Sequence, residues 1–191
     1  MASLVSPAAS DPLSATSDVE TIAISDETWF RHTRPGADFW LAPEPPPDGR
    51  WQRGDVVRAI YLADSEATAW AEWYRALAER EIPPDRGFPR MLWRVNVNLA
   101  RVADLSSGER LARLGLPTPR PSLTDWALFQ AAGERLFADG FEALLAPSAA
   151  RPEAGRSLAV FRPIDRVPGL RTVGRPRSLA APPPLPRGLR T

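Results

Sequence analysis

Hydrophobic and polar residues alternate most clearly in the segment MLWRVNVNLARVADL, residues 91–105. The apolar positions of this alternation are Trp93, Val95, Val97 and Leu99, separated by arginine and asparagine. A period of two is typical of a strand with one buried face and one solvent-exposed face. The run VVRAIYLA, residues 56–63, is apolar, partly β-branched and of strand length, so it predicts a second strand.

The segment after this run, residues 66–82, repeats its apolar residues at helical spacing and predicts an amphipathic helix. Asp64 or Ser65 can cap the helix, because a short polar side chain accepts hydrogen bonds from the free N–H groups of the first turn. The buried stripe is expected at Ala67, Trp70, Ala71, Tyr74, Leu77 and Ala78. A second helix is predicted within residues 122–140, with a cap near Ser122 or Thr124 and Gly140 at its end.

Three shorter segments complete the predicted sheet: TWFRHTRPG, FEALLAPSA and SLAVFRP. The segment FWLAPEPPPDGRW contains too many prolines for regular structure and predicts a loop. Because strands and helices do not alternate regularly, the sequence favours an α+β fold, with a compact, mixed and largely antiparallel sheet and a few helices.

The two ends of the chain differ in composition from its middle. Residues 1–20 are small and polar and predict a disordered lead. Residues 169–191 are rich in proline and arginine and predict an extended, mobile tail, in which PPPLP is compatible with polyproline II. The folded domain is therefore expected at residues 21–168.

Composition excludes several kinds of chemistry. The chain has 191 residues, of which 43% are hydrophobic, so it can form one domain with a substantial core. All 24 basic residues are arginine, which excludes a Schiff-base or Walker lysine. The absence of cysteine excludes disulfides and thiolate nucleophiles, and the single histidine, His32, cannot form a multi-histidine metal site.

Charge and hydropathy bear on location and partners. The formal net charge of +1 gives no overall basic field for nucleic acid or an anionic membrane. No apolar run approaches the length of a membrane span, and the first 20 residues lack the basic and apolar regions of a secretory signal. A cytoplasmic location is expected.

Arg50, Tyr61 and Glu72 fall within one loop, strand and helix unit, GRWQRGDVVRAIYLADSEATAWAE. Taken singly they read as a surface arginine, a core tyrosine and a solvated glutamate with a weak partnership to Arg75. Ser148 lacks a G-x-S-x-G context, so a nucleophile elbow is not supported. Taken together, however, arginines suit a pyrophosphate, a tyrosine can stack on a heteroaromatic ring, and a carboxylate can stabilise positive charge on a ribose. The set suggests NAD, cleaved at the nicotinamide–ribose bond.

Three segments between Trp29 and Phe161 resemble the RES domain family in order and separation: WFRHTRPG, GRWQRGDVVRAIYLADSEATAWAE and FEALLAPSAARPEAGRSLAVF. The resemblance implies an NAD-degrading enzyme, acting by hydrolysis or phosphorolysis, with a fold similar to ADP-ribosyltransferase toxins. Family members are typically toxins of bacterial toxin–antitoxin pairs and are neutralised by a helix-turn-helix, Xre-like antitoxin. The resemblance implies no metal and no cofactor beyond NAD as substrate.

Carried over residue by residue, the family's functional positions fall on Arg31, Arg50, Tyr61, Glu72 and Ser148. In the roles this implies, Arg31 and Arg50 hold the phosphates and ribose, and Tyr61 stacks on or walls the nicotinamide. Glu72 stabilises the oxocarbenium-like transition state, and Ser148 hydrogen-bonds the substrate or fixes Glu72.

The chain departs from the family pattern at Gln52 and Ser157, where asparagine is common. His32 is outside the pattern and is expected to be a strand-end or surface histidine. Two alternatives stay open, an ADP-ribosyltransferase acting on a macromolecule and a non-catalytic NAD-binding module. A third alternative is a structural protein that uses PPPLP as a docking motif.

Overall fold

The computed structural model describes residues 18–40, 44–162 and 168–191. Seven strands and three α-helices lie within these ranges, together with a 3₁₀ turn at Pro84–Gly87. The strands are β1 (Thr21–Thr33), β2 (Arg58–Ala63), β3 (Arg90–Asp104), β4 (Ala143–Pro147), β5 (Arg156–Arg162), β6 (Leu170–Thr172) and β7 (Arg177–Leu179). The helices are α1 (Glu66–Ala78), α2 (Gly108–Arg113) and α3 (Trp126–Ala138).

The strands form one mixed sheet that closes into a small barrel. Its order is β1–β2–β5–β4–β3, and pairing of β1 with β3 completes the ring. The pair β3–β4 is parallel, and the other described pairs are antiparallel. The α+β class and the largely antiparallel sheet are confirmed, whereas closure was not predicted, because it depends on which distant strands meet.

The apolar strands β4 and β5 have both faces buried. Leu145 and Leu158 belong to a cluster contributed by all five barrel strands, which fills the space that they enclose. Leu144 and Phe161 point the other way, into a second cluster with α2 and α3. Burial on both faces explains why these strands read as continuous apolar runs, whereas β3 alternates.

Strand β3 is the longest element and bears out its alternating pattern. Val95, Val97 and Leu99 are buried, and the intervening arginine and asparagine side chains are exposed or half-buried. One edge of β3 pairs with β1, and the other edge pairs in turn with β7, β6 and β4.

Helix α1 begins as predicted, with the Ser65 hydroxyl accepting a hydrogen bond from the amide of Thr68 at 3.1 Å. The predicted stripe is correct at Trp70, Ala71 and Tyr74 and half-buried at Leu77, but Ala67 and Ala78 are exposed. The helix also ends at Ala78 rather than at residue 82. The stripe differs because α1 is covered on two sides, so the buried set extends to Thr68, Ala69 and Trp73.

Helix α3 begins later than predicted, at Trp126, and Asp125 at its N-cap makes no side-chain capping bond. Ser122 and Thr124, the expected caps, instead bond to each other in the turn before the helix. Gly140 follows the helix with a positive φ of 83°, as expected of a residue in the left-handed region.

The segment after residue 168 contains two short strands that the sequence analysis did not predict. Residues 170–172 and 177–179 form β6 and β7 on the edge of β3, and Leu189 packs against the aromatic residues of α1. Its prolines do not prevent this, because strand pairing uses the residues between them.

Residues 1–17 of the expected disordered lead lie outside the described residues. Within the described ranges, no helix combines the length and the apolar character needed to cross a membrane.

Candidate active site

A cleft of about 380 Å³ opens beside α1, a size typical of small-molecule sites. Its walls come from β1, β2, α1, the loop 46–52 and the residues next to Ser148. Arg31, Arg50, Tyr61 and Glu72 all line it, so the fold brings together four of the five residues that the sequence singled out. Ser148 lies directly behind Glu72 and is fully buried.

Glu72 is held by donors from two directions. Its Oε1 accepts a hydrogen bond from the Ser148 hydroxyl at 2.6 Å and from the Ala150 amide at 3.3 Å. Its Oε2 accepts from Nε of Arg75 at 2.9 Å. The Glu72 side chain keeps 25% of its surface exposed, towards the cleft. Glu72 thus has the Arg75 partner that its spacing indicated, but two further donors hold it, so it is not a freely solvated glutamate.

The electrostatics keep Glu72 ionised. Burial alone would raise the pKa of the Glu72 carboxyl, because it disfavours the charged form. The charge of Arg75 and the hydrogen bonds from Ser148, Arg75 and Ala150 outweigh burial and lower the pKa of Glu72 below its ordinary value. The cleft thus contains a fixed negative charge at neutral pH.

Arg75 is a cleft residue whose importance the sequence did not reveal. Its guanidinium bonds Glu72 and also pairs with Glu79 one turn further along α1. Burial lowers the pKa of Arg75, but the charges of Glu72 and Glu79 more than compensate and raise it. The i,i+3 spacing to Glu72 was visible, but a helical pattern cannot show that both side chains would be removed from water.

Arg50 lies in the loop that follows the prolines, lines the cleft and is only 7% exposed. Its Nη2 donates to the carbonyl oxygen of Arg120 at 2.8 Å, and its guanidinium lies over the rings of Trp126 and Phe129. Its Nη1 is buried and finds no hydrogen-bond partner among the described residues. Because Arg50 lines the cleft and forms no ion pair with a carboxylate of the described residues, its charge is suited to an anionic ligand.

Arg31 lies on β1, lines the cleft and also has an unused donor. Its Nη1 is buried without a hydrogen-bond partner in the described part of the chain, and its guanidinium lies 5.4 Å from the Phe39 ring centre. Burial, with the nearby charges of Arg162 and Arg90, lowers the pKa of Arg31 to about 10. Repulsion from two other cations would be relieved by a bound anion.

His32 is one residue from the end of β1, as expected, but it lies in the wall of the cleft rather than at the surface. Its ring stacks on Trp70 with centroids 5.0 Å apart, and Nδ1 lies 2.7 Å from Nη2 of Arg90. Because the guanidinium can only donate, Nδ1 accepts this bond. Burial, followed by the charges of Arg90 and Arg31, lowers the pKa of His32 to about 3, so the ring is neutral.

Tyr61 presents its ring to the cleft while its hydroxyl is fully used behind it. The hydroxyl donates to Oε1 of Gln52 and accepts from the amide of Trp51 at 3.0 Å. Burial raises the pKa of Tyr61 above its ordinary value, so the group is not an acid or base at neutral pH. Gln52, a departure from the family pattern, therefore has a defined role in fixing this ring.

Ser148 and Ser157 occupy different positions. The Ser148 hydroxyl donates its proton to Glu72 and accepts from the amide of Arg151 at 3.1 Å, and the residue is fully buried and does not line the cleft. Of the two roles considered for Ser148, this geometry matches the one that fixes Glu72. Ser157, the second departure, lines the cleft directly.

The described lining of the cleft has more positive than negative charge. Its arginines are Arg31, Arg50, Arg58, Arg75 and Arg162, and its carboxylates are Asp48 and Glu72. Such a site suits a ligand that carries two or more negative charges and one electron-deficient centre near Glu72. Within the described residues, no group of three or more histidine, aspartate or glutamate side chains could hold a metal ion.

Arg162 and Trp126 line the cleft but were not anticipated from the sequence. They lie on β5 and at the start of α3, far along the chain from the loop–strand–helix unit. Their types give no local signal, since a strand-end arginine and a helix-start tryptophan are ordinary in any sequence.

Comparison with known proteins gives a consistent picture. A family model, the RES domain, matches residues 26–180, which is most of the chain. Among solved structures 12 chains match. One is from the crystal structure of the M. tuberculosis MbcT–MbcA toxin–antitoxin complex, with 27% identity and a TM-score of 0.71 over 89% of this chain and 91% of that chain. Curated protein sequences gave no match.

Proposed function

The chain belongs to the RES domain family, and from this membership and the cleft geometry we propose that it is an enzyme that cleaves NAD at the nicotinamide–ribose bond. The observation that carries the proposal is the ionised carboxylate of Glu72, fixed by three donors at the wall of a cleft rich in arginine. Such a carboxylate is complementary to the positive charge that develops on a ribose as its glycosidic bond breaks.

The reaction needs no protein nucleophile. The C1–N bond between ribose and nicotinamide breaks, and its electron pair leaves with the nicotinamide, which becomes neutral. A water or phosphate oxygen forms the new bond to C1, which gives ADP-ribose and a proton, or ADP-ribose 1″-phosphate. Glu72 stabilises the oxocarbenium-like transition state between these two events.

The remaining residues bind and orient the substrate. The guanidinium groups of Arg31 and Arg50, which line the cleft, are suited to the pyrophosphate, since they match phosphate oxygens in geometry and charge. The Tyr61 ring forms a flat wall for the nicotinamide. Ser148 acts as a positioning residue, because its hydroxyl is bonded to Glu72 and does not line the cleft.

The test is incubation of the purified chain with NAD labelled in the ADP-ribose part, with and without inorganic phosphate, followed by separation of the products. Free labelled ADP-ribose, or its 1″-phosphate when phosphate is present, supports the proposal and identifies the acceptor. Label retained on a macromolecule would instead show an ADP-ribosyltransferase. NAD binding by the folded chain without any product would show a non-catalytic binding module.

We also propose that this activity serves as the toxin of a toxin–antitoxin pair, with a helix-turn-helix, Xre-like protein as antitoxin. The support is the similarity to a chain of the MbcT–MbcA toxin–antitoxin complex. Induced expression in a bacterial host should lower cellular NAD and arrest growth, and a Glu72→Gln variant should do neither. Normal growth together with an unchanged NAD level at high expression would contradict the toxin role.

A further inference from the structure

Residues 181–191 run across the outside of α1 and the loop that follows β4. The Tyr74 hydroxyl on α1 donates to the carbonyl oxygen of Pro183, and Leu189 packs against the cluster formed by Trp70, Trp73 and Tyr74. None of residues 181–191 lines the cleft. We call this segment the strap.

One connection from the strap to Glu72 runs through Ala150. The carbonyl oxygen of Ala150 accepts the amide of Arg190 at 2.8 Å, and the amide of Ala150 donates to Oε1 of Glu72 at 3.3 Å. Ala150 itself is fully buried, so its carbonyl oxygen bonds the strap rather than solvent. A displacement of the Ala150 backbone therefore changes the bond that holds the carboxylate.

Arg151 provides a second connection from the strap to the same carboxylate. Its Nε donates to the carbonyl oxygen of Arg187 at 2.9 Å, and its Nη1 lies 3.1 Å from the Thr68 hydroxyl at the start of α1. Its backbone amide donates to the Ser148 hydroxyl, which in turn donates to Glu72. The Arg151 side chain thus joins the strap to α1, and its backbone orients Ser148.

We propose that the strap is a positioning element of the active site, which holds the loop of Ser148 and Ala150 in the conformation that orients Glu72. The expected effect of the strap on turnover rests on the proposed function. Its expected effect on the Glu72 carboxylate does not depend on that function.

The connection is mechanical rather than electrostatic. The strap contributes backbone atoms, the amide of Arg190 and the carbonyl of Arg187, and the guanidinium of Arg190 is occupied by Glu153 at the surface. The charged or titratable groups that face Glu72 are Arg75 and Glu79 on its own helix and Arg50 and Tyr61 across the cleft. All four remain when the strap is removed.

The experiment compares the full chain with a chain that ends at residue 180 and with two substitutions of Arg190. Arg190→Pro removes the amide that bonds Ala150. Arg190→Ala keeps that amide and removes the side chain that pairs with Glu153, so it is the matched control. Circular dichroism and urea unfolding verify that each variant is folded. If the shortened chain does not fold, the comparison of Arg190→Pro with Arg190→Ala decides whether the strap orients Glu72.

Two readouts are measured on each variant. The first is the pKa of the Glu72 carboxyl from ¹³C NMR titration, with Glu72→Gln to assign the signal. The second is the kcat and KM for NAD. We expect the shortened chain and Arg190→Pro to raise the pKa of Glu72, because hydrogen bonds to the charged form are lost. We expect kcat to fall about tenfold to a hundredfold with KM unchanged, since misplacement of a reacting group costs turnover rather than binding.

An unchanged Glu72 pKa in the folded shortened chain would overturn the proposal, as would equal effects of Arg190→Pro and Arg190→Ala. If the full chain consumes no NAD, the proposed function fails, while the pKa comparison still decides whether the strap orients Glu72. A shifted pKa with an unchanged kcat would show that the strap contacts the carboxylate without serving catalysis, and would overturn its role as a positioning element of the active site.

Discussion

Replacing Glu72 by glutamine removes the negative charge and keeps the shape of the side chain. The transition state then loses the electrostatic attraction between the carboxylate and the ribose. Two unit charges about 4 Å apart interact by about 4 kcal/mol at an effective dielectric constant of about 20. Each 1.36 kcal/mol changes a rate about tenfold, so the full effect corresponds to about a thousandfold. Because Arg75 neutralises part of the carboxylate charge, we expect kcat to fall by about a hundredfold to a thousandfold.

The substitution also has a structural cost that follows from the contacts. If the amide oxygen of the introduced glutamine keeps the bonds from Ser148 and Ala150, its NH₂ group faces Nε of Arg75, which is also a donor. The opposite orientation places the NH₂ group against the amide of Ala150. Either arrangement leaves a donor unsatisfied, which typically costs about 1–3 kcal/mol when buried. Because 25% of the side-chain surface at this position is exposed, we expect the loss of stability to fall at the lower end of that range.

This stability difference should depend on pH. The folded-state pKa of Glu72 is lowered, so the carboxylate stabilises the fold above its unfolded-state pKa of about 4.3. The stabilisation is lost as the pH falls from that value through the folded-state pKa. Urea unfolding at pH 7 and at successively lower pH should therefore show the wild-type advantage over Glu72→Gln shrinking with acid.

The assay is nicotinamide release measured by chromatography, together with NAD binding by calorimetry. Glu79→Gln is the matched control, because Glu79 shares Arg75 with Glu72 but does not bond Ser148 or line the cleft. We expect the control to retain most of its kcat. A Glu72→Gln enzyme that binds NAD and turns over within about threefold of the wild type would refute a transition-state role worth several kcal/mol.

Ser148→Ala removes the hydroxyl that bonds the Glu72 carboxylate, while the Arg151 amide keeps its bond to the Ser148 carbonyl oxygen at 3.3 Å. The variant should therefore lose about 1–3 kcal/mol in urea unfolding, and its kcat should fall more than its KM rises. Similar kcat in variant and wild type would speak against its positioning role. His32, the single histidine, should give ring NMR signals that do not titrate between pH 8 and pH 5, because its pKa is lowered to about 3 by burial and by two neighbouring arginines. A midpoint near 6.5 would show that the ring is solvated. Tyr61→Phe leaves a backbone amide and a glutamine oxygen without their partner and should destabilise the fold by about 1–3 kcal/mol, while a stability equal to wild type would contradict these bonds.

Much of the secondary structure follows from local patterns in the sequence. The alternation of β3, the Ser65 cap of α1 and the turn role of Gly140 depend on neighbours a few residues apart, so they were predictable. The start of α3 was not, because Ser122 and Thr124 bond each other instead of capping the helix. The strands after residue 168 were missed for a similar reason, since their partner, β3, is about 75 to 90 residues away along the chain.

The features of the site also divide into those that the sequence could predict and those that it could not. The types and order of Arg31, Arg50, Tyr61, Glu72 and Ser148 were enough to suggest the chemistry and, by resemblance, the family. Their hydrogen bonds were not deducible, and neither was the part played by Arg75. On an isolated helix Arg75 would be a solvated partner of Glu72 worth a few tenths of a kcal/mol.

The sequence by itself determined the residue types available for chemistry, the absence of lysine and cysteine, and the strands and helix that carry the candidate residues. Only the tertiary structure decided that Ser148 lies behind Glu72, that Gln52 fixes Tyr61 and that the strap covers the loop after Ser148. The physical reason is that spacing along the chain specifies local geometry. Burial and electrostatics, in contrast, arise between segments that meet only when the barrel closes.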